Sequence, residues 1–209
     1  MKIEIIRQKR KTMVLKILDG QNAVLKVPLR LSDKKVQEFL DSKKVWLSKT
    51  VQKMQNAENF SKSFDLHRCI YLNGAEFMRA NELAIGFDDF PETKKRRIVH
   101  KFYLSKFAII EKLAKDIASK TGLKFKEVVP HNSVRVWGSF SSLKQMKLNW
   151  KLVILPQRLV EYVICHELCH GLHMNHSPRF WSSVKKICPD YVKLRKELQN
   201  YGFVLKEKF

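Results

Sequence analysis

Residues 163–171 read VICHELCHG, and the HExxH pattern inside this stretch gives the first indication of how the chain folds. On a helix, residues four apart lie only about 40° apart around the axis, so His166 and His170 share one face. This spacing lets both imidazoles reach one ion at the usual distance of about 2.0–2.1 Å. Glu167 lies about 100° further around, where a carboxylate can act on a water at the metal without binding the metal. The pattern therefore indicates a hydrolytic site, with zinc as the expected cofactor.

The same helix is predicted to be buried. Between Tyr162 and His170 every side chain is apolar, aromatic or Cys, apart from the His and Glu residues of the motif. A helix that is apolar all round lies in the interior of a protein. Two histidines and a glutamate in such a place are costly unless they are paired or bound to a metal. The surroundings of the motif therefore favour a metal site over a pair of core histidines.

A hydrolytic zinc site needs a third protein ligand and one open position. His173 and His176 are both near in sequence. On a continuous helix His173 would lie about 10.5 Å along the axis from His166, which is too far for one ion. Gly171 lets the chain leave the helix, and His176 follows that break immediately before a Ser-Pro helix start. The sequence therefore favours His176 as the third ligand, with His173 as the competitor.

Patterning along the chain predicts an α+β protein. Three short apolar stretches at residues 1–7, 13–18 and 23–27 predict an N-terminal β-meander, and a helix is expected over residues 33–54. Further strands are expected at 69–77, 82–87, 134–137 and 147–154, with a loop over 138–142. Further helices are expected at 92–120, 159–171 and from 178 to about 200. Residues 88–91 form the expected joint between a unit of residues 1–90 and a catalytic domain of residues 91–209.

Charge is the strongest feature of the composition. The chain has 41 Lys and Arg against 20 Asp and Glu, a net charge of +21, spread along its whole length. A basic surface attracts nucleic acid, nucleotides or acidic protein segments. Nucleic acid and nucleotides are therefore possible partners, beside a peptide or protein substrate of the metal site.

Several classes of protein are excluded by what the sequence lacks. No run of 18 apolar residues is present, so a transmembrane helix is not expected, and charges throughout the first twenty residues argue against a signal peptide. The expected location is therefore cytoplasmic. The four cysteines form no CxxC pair, which argues against a zinc ribbon or a thioredoxin motif. We interpret Cys165 and Cys169 as packing residues.

The string HELCHGLHMNHSPRFW at residues 166–181 follows a Trp-Gly-Ser loop at 137–139, an Asn-bearing strand and a Pro at position 156. Together these motifs resemble the YgjP-like metallopeptidases, which are distant relatives of the SprT-like zinc proteases within the zincin fold. The resemblance is specific over residues 135–191 and looser over the N-terminal part. It implies a zincin-like catalytic domain in which His166, His170 and His176 bind the metal and Glu167 is the catalytic acid/base. The usual Cys after Trp-Gly-Ser is Phe140 here, so no thiol can act at that place.

The first functional hypothesis is accordingly a zinc-dependent peptidase in which Glu167 activates a zinc-bound water. Strand 147–154 is the candidate for aligning an extended substrate by backbone addition. One alternative is a metal-dependent nucleoside triphosphate phosphohydrolase, although no phosphate-binding glycine loop is present. Another is a nucleic-acid-associated zinc protein or protease, for which the net charge is the supporting feature. Arg135 and Asn149 could polarise a substrate group, but structural hydrogen bonding is the favoured interpretation.

Overall fold

The computed structural model describes residues 1–209, and contacts group them into two compact units, Met1–Ser63 and Phe64–Phe209. Both units contain strands and helices, so the predicted α+β class is confirmed. None of the helices combines the length and the apolar content that crossing a bilayer requires.

The first unit contains a three-stranded sheet, formed by β1 (Lys2–Gln8), β2 (Val14–Ile17) and β3 (Asn22–Pro28). Its order is β1-β3-β2, with β1 parallel and β2 antiparallel to β3. A meander would have β2 in the middle, so that prediction is wrong. The reason is burial: β3 carries a nearly continuous apolar run that is buried, whereas β2 is short and only half-buried on one face, as is typical of an edge strand.

One long helix, α1 (Asp33–Lys62), completes the first unit. Its Val36 joins Leu25 and Val27 of β3 in the core of the unit. The helix runs past the predicted end at residue 54, because residues 55–62 contain neither Gly nor Pro. An ion pair between Glu58 and Lys62, 2.8 Å apart, stabilises the added turn.

The second unit contains two small sheets. A hairpin consists of β4 (Cys69–Leu72) and β5 (Ala75–Arg79). A three-stranded sheet consists of β6 (Glu127–His131), β7 (Gly138–Phe140) and β8 (Gln145–Asn149). Its order is β6-β8-β7, so β8 is the central strand and β7 lies at an edge. The sequence predicts that residues 147–154 provide an edge strand that aligns the substrate. This expectation is wrong, because β8 is paired with a strand on each side.

Six helices belong to this unit: α2 (Glu92–Ser105), α3 (Phe107–Thr121), α4 (Gln157–His170), α5 (Pro178–Ile187), α6 (Tyr191–Leu198) and α7 (Gly202–Lys206). The helix predicted over 92–120 is divided at Lys106, where tighter hydrogen bonds join Lys106 to Tyr103 and Ile109 to Lys106. Short 3₁₀ turns connect several elements at Ala80–Leu83, Phe87–Asp89, Trp150–Ile154 and Gln199–Tyr201.

Three of the predicted strands differ from the structure. Residues 82–87 span the end of one 3₁₀ turn, a bend and the start of the next 3₁₀ turn, because the strand that pairs with β4 is β5. Residues 134–137 form no strand, since the buried side chain of Asn149 binds the carbonyls of Ser133 and Val136 in that segment. Strand β8 ends at Asn149, whose Oδ1 accepts from the backbone N–H of Lys151 and begins the 3₁₀ turn. These bonds agree with the interpretation of Asn149 as a residue that forms structural hydrogen bonds.

The hairpin β4–β5 is held against the start of α4. Asn73 and Gly74, at its tip, have positive φ values of 52° and 80°, and their N–H groups donate to the carbonyls of Val153 and Ile154. The side chain of Asn73 also accepts from the N–H of Gln157, 2.6 Å away, and thereby caps α4. These bonds explain why residues 69–79 belong to the second compact unit. The division into two domains near residue 90 stays a prediction.

Lys151 is a buried cation that ties the C-terminal segment to the middle of the chain. Its side chain is 1% exposed, and its Nζ donates to the carbonyls of Leu205 and Glu207 at 2.9 and 2.7 Å. Burial lowers the pKa of this lysine to about 8. The two carbonyl acceptors compensate for part of the desolvation cost.

Replacing Lys151 with Met should lower the free energy of unfolding by about 2 kcal/mol, because two carbonyls lose a charged donor. Lys147→Met is the matched control: this lysine lies on β8 with its side chain exposed, and its loss should change stability by less than about 0.5 kcal/mol. Urea unfolding followed by circular dichroism measures both variants. Equal stability of the two would show that the bonds of Lys151 contribute nothing net.

Candidate metal centre

Helix α4 carries the HExxH pattern through the interior of the second unit. It begins after Pro156, and most of its side chains are buried, as its apolar sequence predicts. In the C-terminal half of the helix the exceptions are His166 and His170, which are half-buried. The helix therefore holds its two histidines at the edge of the core, where they can face a ligand.

The side chains of His166, His170 and His176 converge. One ring nitrogen from each residue lies within 4.8 Å of those of the other two, and Nε2 of His166 is 3.0 Å from Nε2 of His176. The structure thus brings together the three histidines that the sequence selects as ligands. His173 contributes no ring nitrogen to this group.

His173 acts through its backbone instead. Its carbonyl accepts a hydrogen bond from Nδ1 of His170 at 3.0 Å. Since Nδ1 of His170 then carries the proton, Nε2 keeps a lone pair for a metal. A bond of this kind also fixes the orientation of the ring.

The turn after α4 brings His176 back to the site. Gly171 keeps a right-handed φ of −63°, so the expected use of its conformational freedom does not occur. Its small size matters instead, because a Cβ at this position would lie 3.5 Å from the ring of Phe140 and 3.0 Å from the carbonyl of Leu168. Ser177 then caps α5 by accepting from the N–H of Phe180, and this fixes the chain next to His176.

Aromatic rings support the three imidazoles. The buried ring of Phe180 lies 4.9, 4.5 and 4.8 Å from the rings of His166, His170 and His176, between centroids. Trp181 stacks on His176 at 5.5 Å and on Tyr191 at 5.5 Å. These contacts restrict the ring of His176, which is the most exposed of the three.

The donor set fits a transition-metal ion. With metal–nitrogen bonds of about 2.0–2.1 Å, two tetrahedral ligands lie about 3.3 Å apart. The 3.0 Å separation of His166 and His176 matches this value, and no pair needs to close by more than about 1.5 Å from the 4.8 Å limit. Burial, followed by the neighbouring imidazoles, lowers the pKa of His166 to about 3, and burial also lowers the pKa of His170. Both rings are therefore neutral, which is the form that binds a metal.

Glu167 lies beside the histidines with its side chain 5% exposed. No protein group donates a hydrogen bond to its carboxyl, and burial raises its pKa to about 8. It packs against Gly138 of β7, where an added Cβ would lie 2.8 Å from both Cγ and Oε1 of Glu167. Gly138 thus provides the space that the carboxyl occupies.

The histidines and Glu167 open into a pocket of about 450 Å³. Its other lining residues are mostly apolar and include no Lys or Arg: Val136, Trp137, Gly138, Ser139, Phe140, Tyr162, Val163, Met174 and Leu198. All three residues of the edge strand β7 are among them. The pocket therefore combines a metal-binding group, a buried carboxyl and a largely apolar wall.

Two residues of this pocket were not singled out as functional from the sequence. Gly138 was seen only as part of a loop, and its contact with Glu167 joins positions 29 residues apart, which no local pattern reveals. Tyr162 lies four residues before His166 on the same helix, so helical spacing alone could have placed it near the site. Cys165 and Cys169 are buried free thiols whose pKa is raised by burial, in agreement with a packing role.

Comparison with known families agrees with the class of site that the fold presents, a metal-dependent hydrolase. The family described as YgjP-like, metallopeptidase domain matches residues 11–201. The chain therefore belongs to the YgjP-like metallopeptidases, the family that its motifs resemble. No curated protein and no solved structure gives a significant match.

Removing a converging imidazole should abolish metal binding. We expect His176→Ala to lower the affinity for a divalent metal more than about 100-fold, since even indirect supporting residues cost 10–100-fold. His173→Ala is the control, because the alanine keeps the carbonyl that holds His170. Both proteins are loaded with zinc, dialysed and assayed by mass spectrometry for bound metal. Equal metal content in the two variants would contradict the assignment of His176.

Proposed function

We propose that this protein is a zinc-dependent peptidase of the zincin type, in which His166, His170 and His176 bind the metal and Glu167 is the catalytic acid/base. The observation that carries the proposal is the convergence of three imidazoles next to a buried carboxyl without a protein partner. Membership of a metallopeptidase family supports it independently.

When bound, zinc would polarise the scissile carbonyl and make water more acidic at neutral pH. Glu167 would accept a proton from the attacking water and deliver it to the nitrogen of the leaving amine. Its carboxyl is suited to this exchange because no hydrogen bond from the protein competes for its oxygens. Gly138 would keep the carboxyl in place by leaving room for it.

The lining of the pocket favours a peptide over a nucleotide. Its walls are apolar side chains such as Trp137, Phe140 and Met174, which fit an apolar residue next to the scissile bond. The backbone of β7 lies at the edge of its sheet, where an extended peptide can add as a further strand. We therefore propose β7, in place of the 147–154 segment, as the strand that aligns the substrate.

The alternative functions gain no support from the pocket. A triphosphate would require cations near the metal, and no Lys or Arg lines the pocket. The phosphohydrolase therefore remains the weaker hypothesis. Binding of nucleic acid to the basic surface and a cytoplasmic location stay predictions.

Replacing Glu167 with Gln should lower kcat on peptides by about 10²–10⁴-fold, because the amide cannot accept the proton. Zinc content should remain that of the wild type, since Glu167 is not among the converging donors. Cleavage is measured with a quenched fluorescent peptide library rich in apolar residues, and a nucleoside triphosphate panel is assayed in parallel for phosphate release. Unchanged peptide cleavage in the variant would remove Glu167 from the mechanism, and triphosphate hydrolysis without peptide cleavage would overturn the peptidase.

Gly138→Ala should lower kcat by about 100-fold while zinc content stays constant, since the new methyl group must displace the Glu167 carboxyl. Gly202→Ala is the matched control, because nothing lies within 4 Å of a Cβ at that position. The same peptide assay and metal analysis apply. Wild-type turnover in Gly138→Ala would show that the carboxyl is not held by this contact.

A further inference from the structure

Tyr162 occupies a position in the pocket that the proposed mechanism does not use. It lies one helical turn before His166 on α4, and the centroids of the two rings are 6.1 Å apart. The residue is 4% exposed, yet it lines the same pocket as His166 and Glu167. The residue is therefore part of the core and also part of the pocket wall.

The hydroxyl of Tyr162 has no hydrogen-bond partner in the protein. Buried tyrosines usually find a partner for this group. Two other buried tyrosines follow this rule: the hydroxyl of Tyr103 accepts from the N–H of Tyr71, and that of Tyr71 accepts from the N–H of Asp65, both at 3.1 Å. An unpaired hydroxyl at the wall of a pocket is therefore available to a ligand.

Other donors in the neighbourhood are less well placed. Ser139 also lines the pocket, but it is exposed, and it follows Gly138 on β7, so its side chain points to the face opposite Glu167. The guanidinium of Arg195 lies over the ring of Trp181 at 4.7 Å and does not line the pocket. Tyr162 is thus a neutral donor that lines the pocket on the helix that carries the histidines.

We propose that Tyr162 is a catalytic residue whose hydroxyl donates a hydrogen bond to the carbonyl oxygen of the scissile peptide bond. This inference rests on the proposed peptidase function and assigns the stabilisation of charge on that oxygen. Hydrogen bonds aimed at a developing oxyanion are among the largest contributions to catalysis of acyl transfer.

The step balances without any further reactant. The oxygen of water adds to the carbonyl carbon, and the π electron pair of the carbonyl moves onto its oxygen, which Tyr162 hydrogen-bonds. The carbon–nitrogen bond then breaks, and the proton that Glu167 took from water passes to the amine nitrogen. Tyr162 keeps its own proton throughout. The second proton of the water stays on the new carboxyl group, so the products are a carboxylic acid and an amine, which then ionise to a carboxylate and an ammonium group.

The test compares Tyr162→Phe with Tyr103→Phe in the full-length protein. Tyr162→Phe should lower kcat by about 100-fold with KM changed less than about threefold, because the bond forms mainly as charge develops on the oxygen. Its zinc content and thermal midpoint should equal those of the wild type, since no protein bond is lost. Tyr103→Phe should show the reverse: wild-type kcat and a lower thermal midpoint, because the N–H of Tyr71 loses its buried acceptor.

Binding gives a readout that does not depend on turnover. A phosphinic peptide, whose tetrahedral phosphinate replaces the scissile amide, should bind at least 10-fold more weakly to zinc-loaded Tyr162→Phe than to the wild type in calorimetry. It should bind equally to Tyr103→Phe and the wild type.

The outcomes test the peptidase function and the role of Tyr162 separately. Wild-type protein that cleaves no peptide would overturn the peptidase and the role of Tyr162 together. Wild-type cleavage with undiminished kcat and undiminished phosphinate affinity in Tyr162→Phe would overturn the role of Tyr162 alone. A lower thermal midpoint in Tyr162→Phe, similar to that of Tyr103→Phe, would also overturn it, because the hydroxyl would then have a structural partner.

Discussion

The burial of α4 is the constraint on which the rest of the second unit depends. A helix that is apolar on nearly all sides must be covered by neighbouring elements, and its polar groups must then be satisfied within the protein or by a ligand. The hairpin tip at Asn73 satisfies the start of the helix. At the other end, the histidines contact one another and the carbonyl of His173, and Glu167 has no hydrogen-bond partner in the protein. This asymmetry is the physical reason why the C-terminal half of the helix is the candidate for binding a metal.

The wall opposite α4 is built from small and apolar groups. Gly138 leaves the space for a carboxyl, and Phe140 packs against the turn at Gly171. Two residues of one short strand, Gly138 and Phe140, thereby set both the position of Glu167 and the path of the backbone after α4. Because β7 is also an edge strand, one side of its backbone has no neighbouring strand.

The basic residues of the chain lie outside the pocket beside the histidines. The chain carries a net charge of +21, yet the pocket beside the histidines contains no Lys or Arg. The basic residues therefore lie elsewhere on the protein, while the pocket is lined by imidazoles, one carboxyl and mostly apolar side chains. Lys151 shows the other use of a cation, as a buried donor that holds two carbonyls near the end of the chain.

The sequence by itself determined the α+β class and the buried α4, and it predicted His176 over His173 as the third histidine of the site, because helical periodicity and the cost of burying polar groups act over a few neighbouring residues. Only the tertiary structure decided that β3 and β8 are central strands, that Gly138 touches Glu167 and that the hydroxyl of Tyr162 is left unpaired. These features depend on which distant segments pack together. Several arrangements of short strands satisfy the same local pattern, and packing of the whole core selects one of them.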